Sequence, residues 1–173
     1  MNIRQENSHD YAAIYELVKT AFETAKVKDG HEQDLVNKLR DSDKYIPSLA
    51  LVAEEDGKII GHIMVTKTWV THGDEKHEVL YLAPVSVLLE YRKRGVGSEL
   101  IRRCLATGKE MGYKAVFLAG DPGYYHRFGF EATIKHGIKC SIDLPEEFNE
   151  NIMVCELIPG GLKGVTGVVE MSR

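Results

Sequence analysis

Residues 79–119 constrain the fold of this chain more than any other segment. Residues 79–87 form an apolar run that predicts a strand, and residues 92–97 are a basic turn that contains glycine. An amphipathic stretch then starts at Ser98, and residues 115–119 are a short, continuous apolar run, which is typical of a strand covered on both faces. A strand, a helix and a buried strand in this order predict a βαβ unit with a parallel strand pair.

The turn before the helix has the composition of an anion-binding site. Arg92, Lys93 and Arg94 carry positive charge, and Gly95 and Gly97 lack a Cβ, so the main chain can approach a ligand closely. The first amides of a helix have no intrahelical partner and face the positive end of the helix dipole. The segment therefore predicts a ligand that carries phosphate.

Two other phosphate-binding motifs do not fit this turn. A dinucleotide fingerprint needs a third glycine three residues after Gly97, where Leu100 stands, and the chain contains no P-loop motif. A solvated basic loop with a capping glycine is the alternative that the turn alone leaves open.

The segments before the βαβ unit predict helices and an antiparallel meander. Apolar residues recur at helical spacing in residues 11–22 and 35–39, and residues 49–54 and 59–71 read as a hairpin around the turn signal Asp56-Gly57. Pro84 lies in the third strand of the meander, where it cannot donate to a ladder. The pairing is therefore expected to be interrupted nearby, by a bulge or by a strand that leaves its neighbour.

The segments after the unit predict a short helix and more strands. Asp121 can cap a helix of fewer than two turns, Pro122 suits its first position and Gly129 suits its end. Alternation in residues 138–142 and 152–158 predicts two further strands.

Composition narrows the class of protein. A chain of 173 residues with 43% hydrophobic content predicts one domain over residues 1–173, and a net charge of -4 argues against general nucleic-acid binding. No apolar run is long enough for a membrane span, and residues 1–6 lack an apolar signal core, so a cytoplasmic protein is expected. Cys104, Cys140 and Cys155 are odd in number and lack C-x-x-C spacing; they are expected to be reduced core residues, without a disulfide or zinc.

Two motifs together resemble the GNAT superfamily of N-acetyltransferases. Residues 92–97 fit its [QR]-x-x-G-x-[GA] acetyl-CoA signature, and residues 125–130 resemble its later Y-x-x-x-G-F element. The resemblance runs from the first strand to at least Leu157, and residues 120–125 are similar to a branch of predicted bacterial acetyltransferases. One departure is Leu89, where many members have proline.

The resemblance implies an α/β (α+β mixed) fold. This is a mixed, largely antiparallel sheet of six to seven strands, flanked by about four helices, with a V-shaped opening between strands 4 and 5 that holds acetyl-CoA. Pro84 would then lie where the fourth strand leaves its neighbour. The main chain of that strand would pair with the pantetheine arm, and the Val87 amide would point at the thioester carbonyl as an oxyanion donor.

The resemblance also implies a set of cofactor contacts. From the strand and turn these are Val85, Ser86, Val87, Arg92, Lys93, Arg94, Gly95, Val96, Gly97 and Ser98. From the short helix they are Asp121, Tyr124, Tyr125, Arg127 and Phe128.

Three side chains are candidates for moving protons. Tyr125 matches the family tyrosine that often protonates the departing thiolate, and its alternative role is to pack against the sheet or the cofactor. A primary amine is protonated at neutral pH, so a base or a water chain must also act, with Glu32 and His62 as candidates. Their alternative roles are a charge at a helix N-terminus for Glu32 and a hydrogen-bonded sheet histidine for His62.

The function implied is direct transfer of an acetyl group from acetyl-CoA to an amine in a ternary complex, without metal. The expected acceptor is a small molecule or a peptide, a homodimer is possible, and neither nucleic acid nor membrane is an expected partner. One alternative is a non-catalytic acyl-CoA-binding or regulatory module on the same fold. Another is a nucleic-acid-associated protein that uses residues 92–94.

Overall fold

The computed structural model describes residues 1–26 and 28–171 of the chain. The chain packs as two compact units: unit 1 contains Met1–Thr66 and Leu82–Cys104, and unit 2 contains Lys67–Tyr81 and the chain from Leu105 onward. The expectation of one domain over residues 1–173 stays a prediction.

The described residues form four α-helices and nine strands. The helices are α1 (Tyr11–Glu23), α2 (Glu32–Arg40), α3 (Val96–Glu110) and α4 (Pro122–Tyr125). The strands are β1 (Asn2–Gln5), β2 (Ala50–Glu55), β3 (Lys58–His72), β4 (Glu75–Val87), β5 (Ala115–Ala119), β6 (Glu131–Ala132), β7 (Ile138–Cys140), β8 (Ile152–Glu156) and β9 (Gly167–Val169). Short 3-10 turns occupy Ser8–Asp10, Pro47–Leu49, Leu89–Tyr91, His126–Phe128, Thr133–His136 and Glu146–Asn151.

In unit 1, β1, β2 and β3 pair antiparallel, with Ile3 opposite Ala53 and Leu51 opposite Ile63. The predicted hairpin is confirmed, and both residues of its turn have positive φ, 52° at Asp56 and 77° at Gly57. Helices α1 and α2 cover one face of these strands. The core between them consists of Ile14, Leu17, Val18, Val36, Leu39, Ala50, Val52 and Met64.

In unit 2, β5 runs parallel to β4, as the βαβ unit requires, with Leu80 opposite Val116 and Tyr81 opposite Phe117. Strand β8 pairs antiparallel with both β5 and β6. Strand β9 pairs antiparallel with β3 and parallel with β7. The sheet is therefore mixed and largely antiparallel, as predicted.

The main differences from the predicted fold lie in short elements. The prediction of six to seven strands omitted β6 and β9, which have two and three residues and too little sequence to show alternation. Helix α3 begins at Val96, two residues before the predicted start. Strand β4 is longer than predicted, because it begins at Glu75.

Pro84 follows a cis peptide bond in β4. The β4–β5 pairing comprises residues Leu80 and Tyr81 of β4, although β4 itself continues to Val87. The pairing of β4 with β5 thus ends before Pro84. An interrupted pairing near Pro84 is what the sequence predicted.

Gly61 on β3 sets how closely α3 approaches the sheet within unit 1. A Cβ at this position would lie 2.9 Å from Val96 Cγ1, 3.1 Å from Leu100 Cδ1 and 3.4 Å from Ser86 O. The first turn of α3 therefore rests directly on the β3 backbone.

Among the residues that the structure describes, no helix is both long and apolar enough to span a membrane.

We predict that Gly61→Ala lowers the free energy of unfolding by about 1–3 kcal/mol, because the added methyl group overpacks the contact with Val96. Urea denaturation measures this loss. Gly73→Asn is the control, since Gly73 has open space around its Cβ position and a φ of +60° that asparagine tolerates. Equal stability of the two variants would contradict the close approach of α3.

Candidate active site

The basic turn forms a bend with two positive φ angles ahead of α3. Lys93 has a φ of 62° and Gly95 a φ of 82°. Positive φ is ordinary for glycine and uncommon for lysine, so the path of the turn depends on Gly95. Lys93, Arg94 and Gly95 are all exposed.

The start of α3 offers amides without helical partners. The Glu99 amide donates to Gly95 O at 3.0 Å, which begins the helical ladder. The amides of Val96, Gly97 and Ser98 precede it and have no carbonyl in the preceding turn to accept from them. These amides and the helix dipole favour an anion at this end of α3.

Arg92 fixes the turn rather than facing solvent. Its guanidinium donates to Ala21 O at 2.9 Å, to Thr24 Oγ1 at 2.8 Å and to Val87 O at 3.3 Å. Ala21 lies in the last turn of α1, where carbonyl oxygens lack helical donors and favour a cation. Arg92 thus joins the end of β4 to the end of α1, and Arg94 and Lys93 are the turn's exposed cations.

The backbone amides at the end of β4 point alternately toward β3 and away from it. The Leu88 amide donates to Ile60 O of β3 at 2.9 Å. Because neighbouring residues of an antiparallel strand point their amides to opposite edges, the Val87 amide points away from β3, and so does that of Val85. The Ser86 amide points toward β3. The Ser86 side chain is buried, and its Oγ has no hydrogen-bond partner within the described residues.

The second predicted motif forms a compact aromatic turn in unit 2. The Asp121 side chain caps α4 by accepting from Gly123 N at 2.9 Å, and Gly129 ends the turn with a φ of 93°. The Tyr125 ring packs edge-on against Tyr124 and Phe130, with centroids 4.9 and 5.8 Å away.

Burial raises the pKa of the Tyr125 phenol, and neighbouring Tyr124 adds to the effect. Tyr125 therefore stays protonated through the physiological range and can serve as a donor. Its ring lies against the Gly120 backbone, where any Cβ would overlap it. Gly120 is a residue that sequence reasoning missed as part of this site, although its place directly after β5 was a usable signal.

Two further predicted cofactor contacts lie on the same aromatic turn. Arg127 donates to Tyr124 O at 2.8 Å and stacks over the Tyr124 ring at 4.7 Å. Phe128 packs edge-on against Tyr124, with ring centroids 5.5 Å apart. The structure thus brings the strand and turn residues together in unit 1, and the aromatic residues together in unit 2.

Glu32 lies at the first position of α2. Its Oε1 accepts from the Asp29 amide at 2.9 Å, while its Oε2 is buried and has no partner among the described residues. One oxygen therefore stabilises the start of the helix, and the other is left for a further ligand or proton.

His62 belongs to a buried polar network centred on Glu6. His62 Nε2 lies 2.9 Å from Glu6 Oε2, and neither side chain has exposed surface. Glu6 also receives Arg40 Nε at 2.7 Å and the Tyr45 hydroxyl at 2.9 Å. The network joins the end of β1 to α2 and β3. Nothing in the sequence of residues 3–6 indicated that Glu6 would be buried in such a network.

Burial and hydrogen bonding determine which side chains of this network are charged. Burial alone would raise the pKa of Glu6, but hydrogen bonds from His62 and Arg40 outweigh it and lower the pKa to about 2. Burial lowers the pKa of His62 and prevails over its bond to Glu6, because Arg40 already matches the Glu6 charge. Neutral His62 then donates from Nε2, so its buried, unpartnered Nδ1 is an acceptor.

Comparison with known proteins assigns the family. The family model described as acetyltransferase (GNAT) domain matches residues 2–133. The chain belongs to the GNAT family. The uncharacterized N-acetyltransferase YhbS of Escherichia coli strain K12 is 34% identical over 171 residues, covering 98% of this chain and 95% of YhbS. The uncharacterized N-acetyltransferase YjhQ of the same strain is 34% identical over 139 residues, covering 80% of this chain and 74% of YjhQ.

Two solved GNAT structures share the fold at similar identity. Escherichia coli YhbS in complex with CoA superposes with a TM-score of 0.84 at 33% identity, covering 99% of this chain and 89% of YhbS. A GNAT acetyltransferase from Brucella melitensis in complex with acetyl-CoA gives a TM-score of 0.69 at 37% identity, covering 76% of this chain and 82% of its own. The GNAT fold and family that the motifs indicated are confirmed.

We predict that His62 makes the free energy of unfolding of this protein depend on pH near neutrality. The unfolded histidine binds a proton below about pH 6.5, whereas the buried one does not, so stability falls as pH falls. Between pH 7.5 and 5.5 we expect His62 to account for a loss on the order of 1 kcal/mol. The lowered pKa of Glu6 stabilises the fold throughout this range, and that contribution is lost only below pH 4.5, as the pH falls toward about 2.

Urea denaturation of the His62→Gln variant at these two pH values measures the effect. Over this pH range the variant should lose less stability than the wild type does, by on the order of 1 kcal/mol. His77→Gln is the control, because His77 is 40% exposed. A pH dependence in His62→Gln equal to that of the wild type would contradict the prediction, because His62 would then bind protons equally in the folded and the unfolded chain.

Proposed function

We propose that this GNAT protein transfers an acetyl group from acetyl-CoA directly to an amine acceptor in a ternary complex. The observation that carries the proposal is the group of amides at the start of α3 that precede its first helical hydrogen bond, behind the positive-φ turn at Gly95. A pyrophosphate fits such a site, because its charge is met by main-chain donors and a helix dipole. The CoA complex of YhbS, which is similar over nearly the whole chain, supports this choice of ligand.

The direction of the β4 amides supports a role in the chemistry. Val85 and Val87 point their amides away from β3, so we propose that these amides pair with the pantetheine arm. We assign the Val87 amide to the thioester carbonyl oxygen, where it would stabilise the negative charge that develops as the amine attacks. Loss of one such donor in other enzymes costs about 3 kcal/mol of transition-state stabilisation.

Tyr125 is our candidate for the general acid. As the neutral amine bonds to the carbonyl carbon, its nitrogen gives up a proton to water, the carbon–sulfur bond breaks and the electron pair of that bond goes to sulfur. The phenol would donate its proton to that sulfur, and solvent would return a proton to the phenolate. Burial raises the pKa of Tyr125, so the phenol still carries its proton at neutral pH when the carbon–sulfur bond breaks.

The amine must lose a proton before it attacks. Glu32 stays a candidate base through its unpartnered Oε2, with a water chain as the alternative. His62 has no exposed surface, so it could take part only through Nδ1 and a relay. The acceptor class we propose is a small-molecule or peptide amine, and we place the reaction in the cytoplasm, with a homodimer as the proposed assembly.

The proposed function is tested by thiol release from acetyl-CoA against a panel of amines. Release that depends on an amine, with the acetylated amine detected by mass spectrometry, is the expected result. Tight acetyl-CoA binding without turnover for any amine would favour a non-catalytic acyl-CoA-binding module. Salt-dependent DNA binding that persists at saturating acetyl-CoA would favour the nucleic-acid alternative for residues 92–94.

We predict that Gly95→Leu weakens acetyl-CoA binding on the order of 100-fold, or ~3 kcal/mol, because the turn can no longer aim its amides at the pyrophosphate. Isothermal titration calorimetry measures the change. Gly112→Leu is a matched control, since Gly112 has a φ of +91° against +82° at Gly95 and both have open space around the Cβ position. Both variants should lose similar stability, and only Gly95→Leu should lose affinity.

We predict that Tyr125→Phe lowers kcat by about 10²- to 10⁴-fold while the KM for acetyl-CoA changes little, because the ring is retained and only the proton is lost. Tyr124→Phe is the control and should keep most of its turnover. If Tyr125→Phe turns over at the wild-type rate, Tyr125 only packs and water protonates the thiolate. That outcome would leave the acetyl-transfer proposal intact.

A further inference from the structure

Three side chains with metal-binding atoms meet in unit 2. They are Glu131 of β6, His136 of the Thr133–His136 turn and Glu156 of β8. One ligand atom from each residue lies within 4.8 Å of the others. None of the three has a part in the proposed acetyl transfer.

The backbone holds these residues together. Glu131 lies opposite Val154 in the β6–β8 pair, and Glu156 is two residues further along β8. Side chains of a strand alternate between faces, so Glu131 and Glu156 are diagonal neighbours on one face. Gly137, with a φ of 68°, ends the turn that follows β6, and His136 reaches back to Glu131.

We propose that Glu131, His136 and Glu156 bind a divalent transition metal ion of the Zn²⁺ class. An imidazole nitrogen and two carboxylate oxygens form a ligand set that zinc accepts, and three protein ligands leave one position for water. The histidine distinguishes this set from the all-oxygen sites that Ca²⁺ and Mg²⁺ prefer.

The geometry requires only small side-chain movements. His136 Nε2 now lies 2.7 Å from Glu131 Oε1, and the side chains are 18% and 45% exposed, so solvent reaches the cluster. Zinc ligands lie about 2.0–2.2 Å from the ion, which separates the ligand atoms by roughly 3.5 Å in a tetrahedron. A rotation of Glu131 opens that space, and the neutral imidazole binds the ion through Nε2 with its proton on Nδ1.

A second contact orients one of the carboxylates. The Leu162 amide donates to Glu156 Oε2 at 3.0 Å, which holds the group and leaves Oε1 for the ion. Hydrogen bonds of this kind from outside the ligand set orient metal ligands in known sites. This bond gives Glu156 a fixed direction that an exposed carboxylate would otherwise lack.

A neighbouring lysine competes with a metal ion for the Glu131 carboxylate. Lys135 Nζ lies 3.8 Å from Glu131 Oε2 and partly neutralises that carboxylate. A bound cation would repel the ammonium group. Removal of the Lys135 charge should therefore tighten metal binding, whereas it would not affect a metal held elsewhere on the chain.

The test is titration of the full chain with ZnCl₂ by calorimetry and with CoCl₂ by visible absorption. The wild type should bind one equivalent of each ion at this cluster, with cobalt d–d bands and a raised melting temperature, since the ion joins β6, the turn and β8. His136→Gln and Glu156→Gln should weaken binding at least about tenfold. Lys135→Met should strengthen it about threefold, and His77→Gln should match the wild type.

Several outcomes would overturn the proposal. They are no Zn²⁺ binding up to millimolar concentration, binding that His136→Gln leaves unchanged, or a thiolate-to-cobalt charge-transfer band, which would assign the ion to a cysteine. None of these readouts uses acetyl-CoA, so the metal site and the acetyl-transfer proposal stand or fall separately.

Discussion

The site in unit 1 depends on the contact between the first turn of α3 and the β3 backbone. Gly61 removes the Cβ that would hold Val96 and Leu100 away, so the helix begins directly against the strand. The amides at that end cannot be satisfied by the helix itself. Arg92 then fixes the approach to the helix by bonding to Ala21 and Thr24 of the α1 end. Packing and hydrogen bonding thus hold in place the amides that we propose bind the pyrophosphate.

A second constraint in unit 1 is the burial of the Glu6 carboxylate. A buried charge is costly unless it is paired and hydrogen-bonded. Arg40, Tyr45 and His62 together supply donors from three parts of the chain, and each would be left with an unmet polar group if Glu6 were absent. The network therefore specifies how α2 and the strands meet, in addition to any stability it provides.

The sequence was informative where a backbone conformation demands a residue type. Gly95, Gly129 and the Asp56-Gly57 pair each marked a turn that the structure contains, and the apolar run of β5 predicted a covered strand. The Glu6 network and the Glu131 cluster could not be predicted in this way. The Glu6 network joins residues 34 or more positions from Glu6, and Glu156 is brought to Glu131 by strand register, so spacing in the sequence marks neither group.

The same distinction explains why the sequence supports a proposal for the cofactor part of the site but not for the acceptor part. Acetyl-CoA is proposed to meet main-chain amides, and main-chain geometry is fixed by glycines and by the strand-to-helix order. Val85, Val87 and Val96 can therefore serve the cofactor through their backbone while Val96 packs its side chain into the core. An amine is instead recognised by side chains on the same scaffold. The fold does not require particular residue types at those positions, so they cannot be identified from the fold.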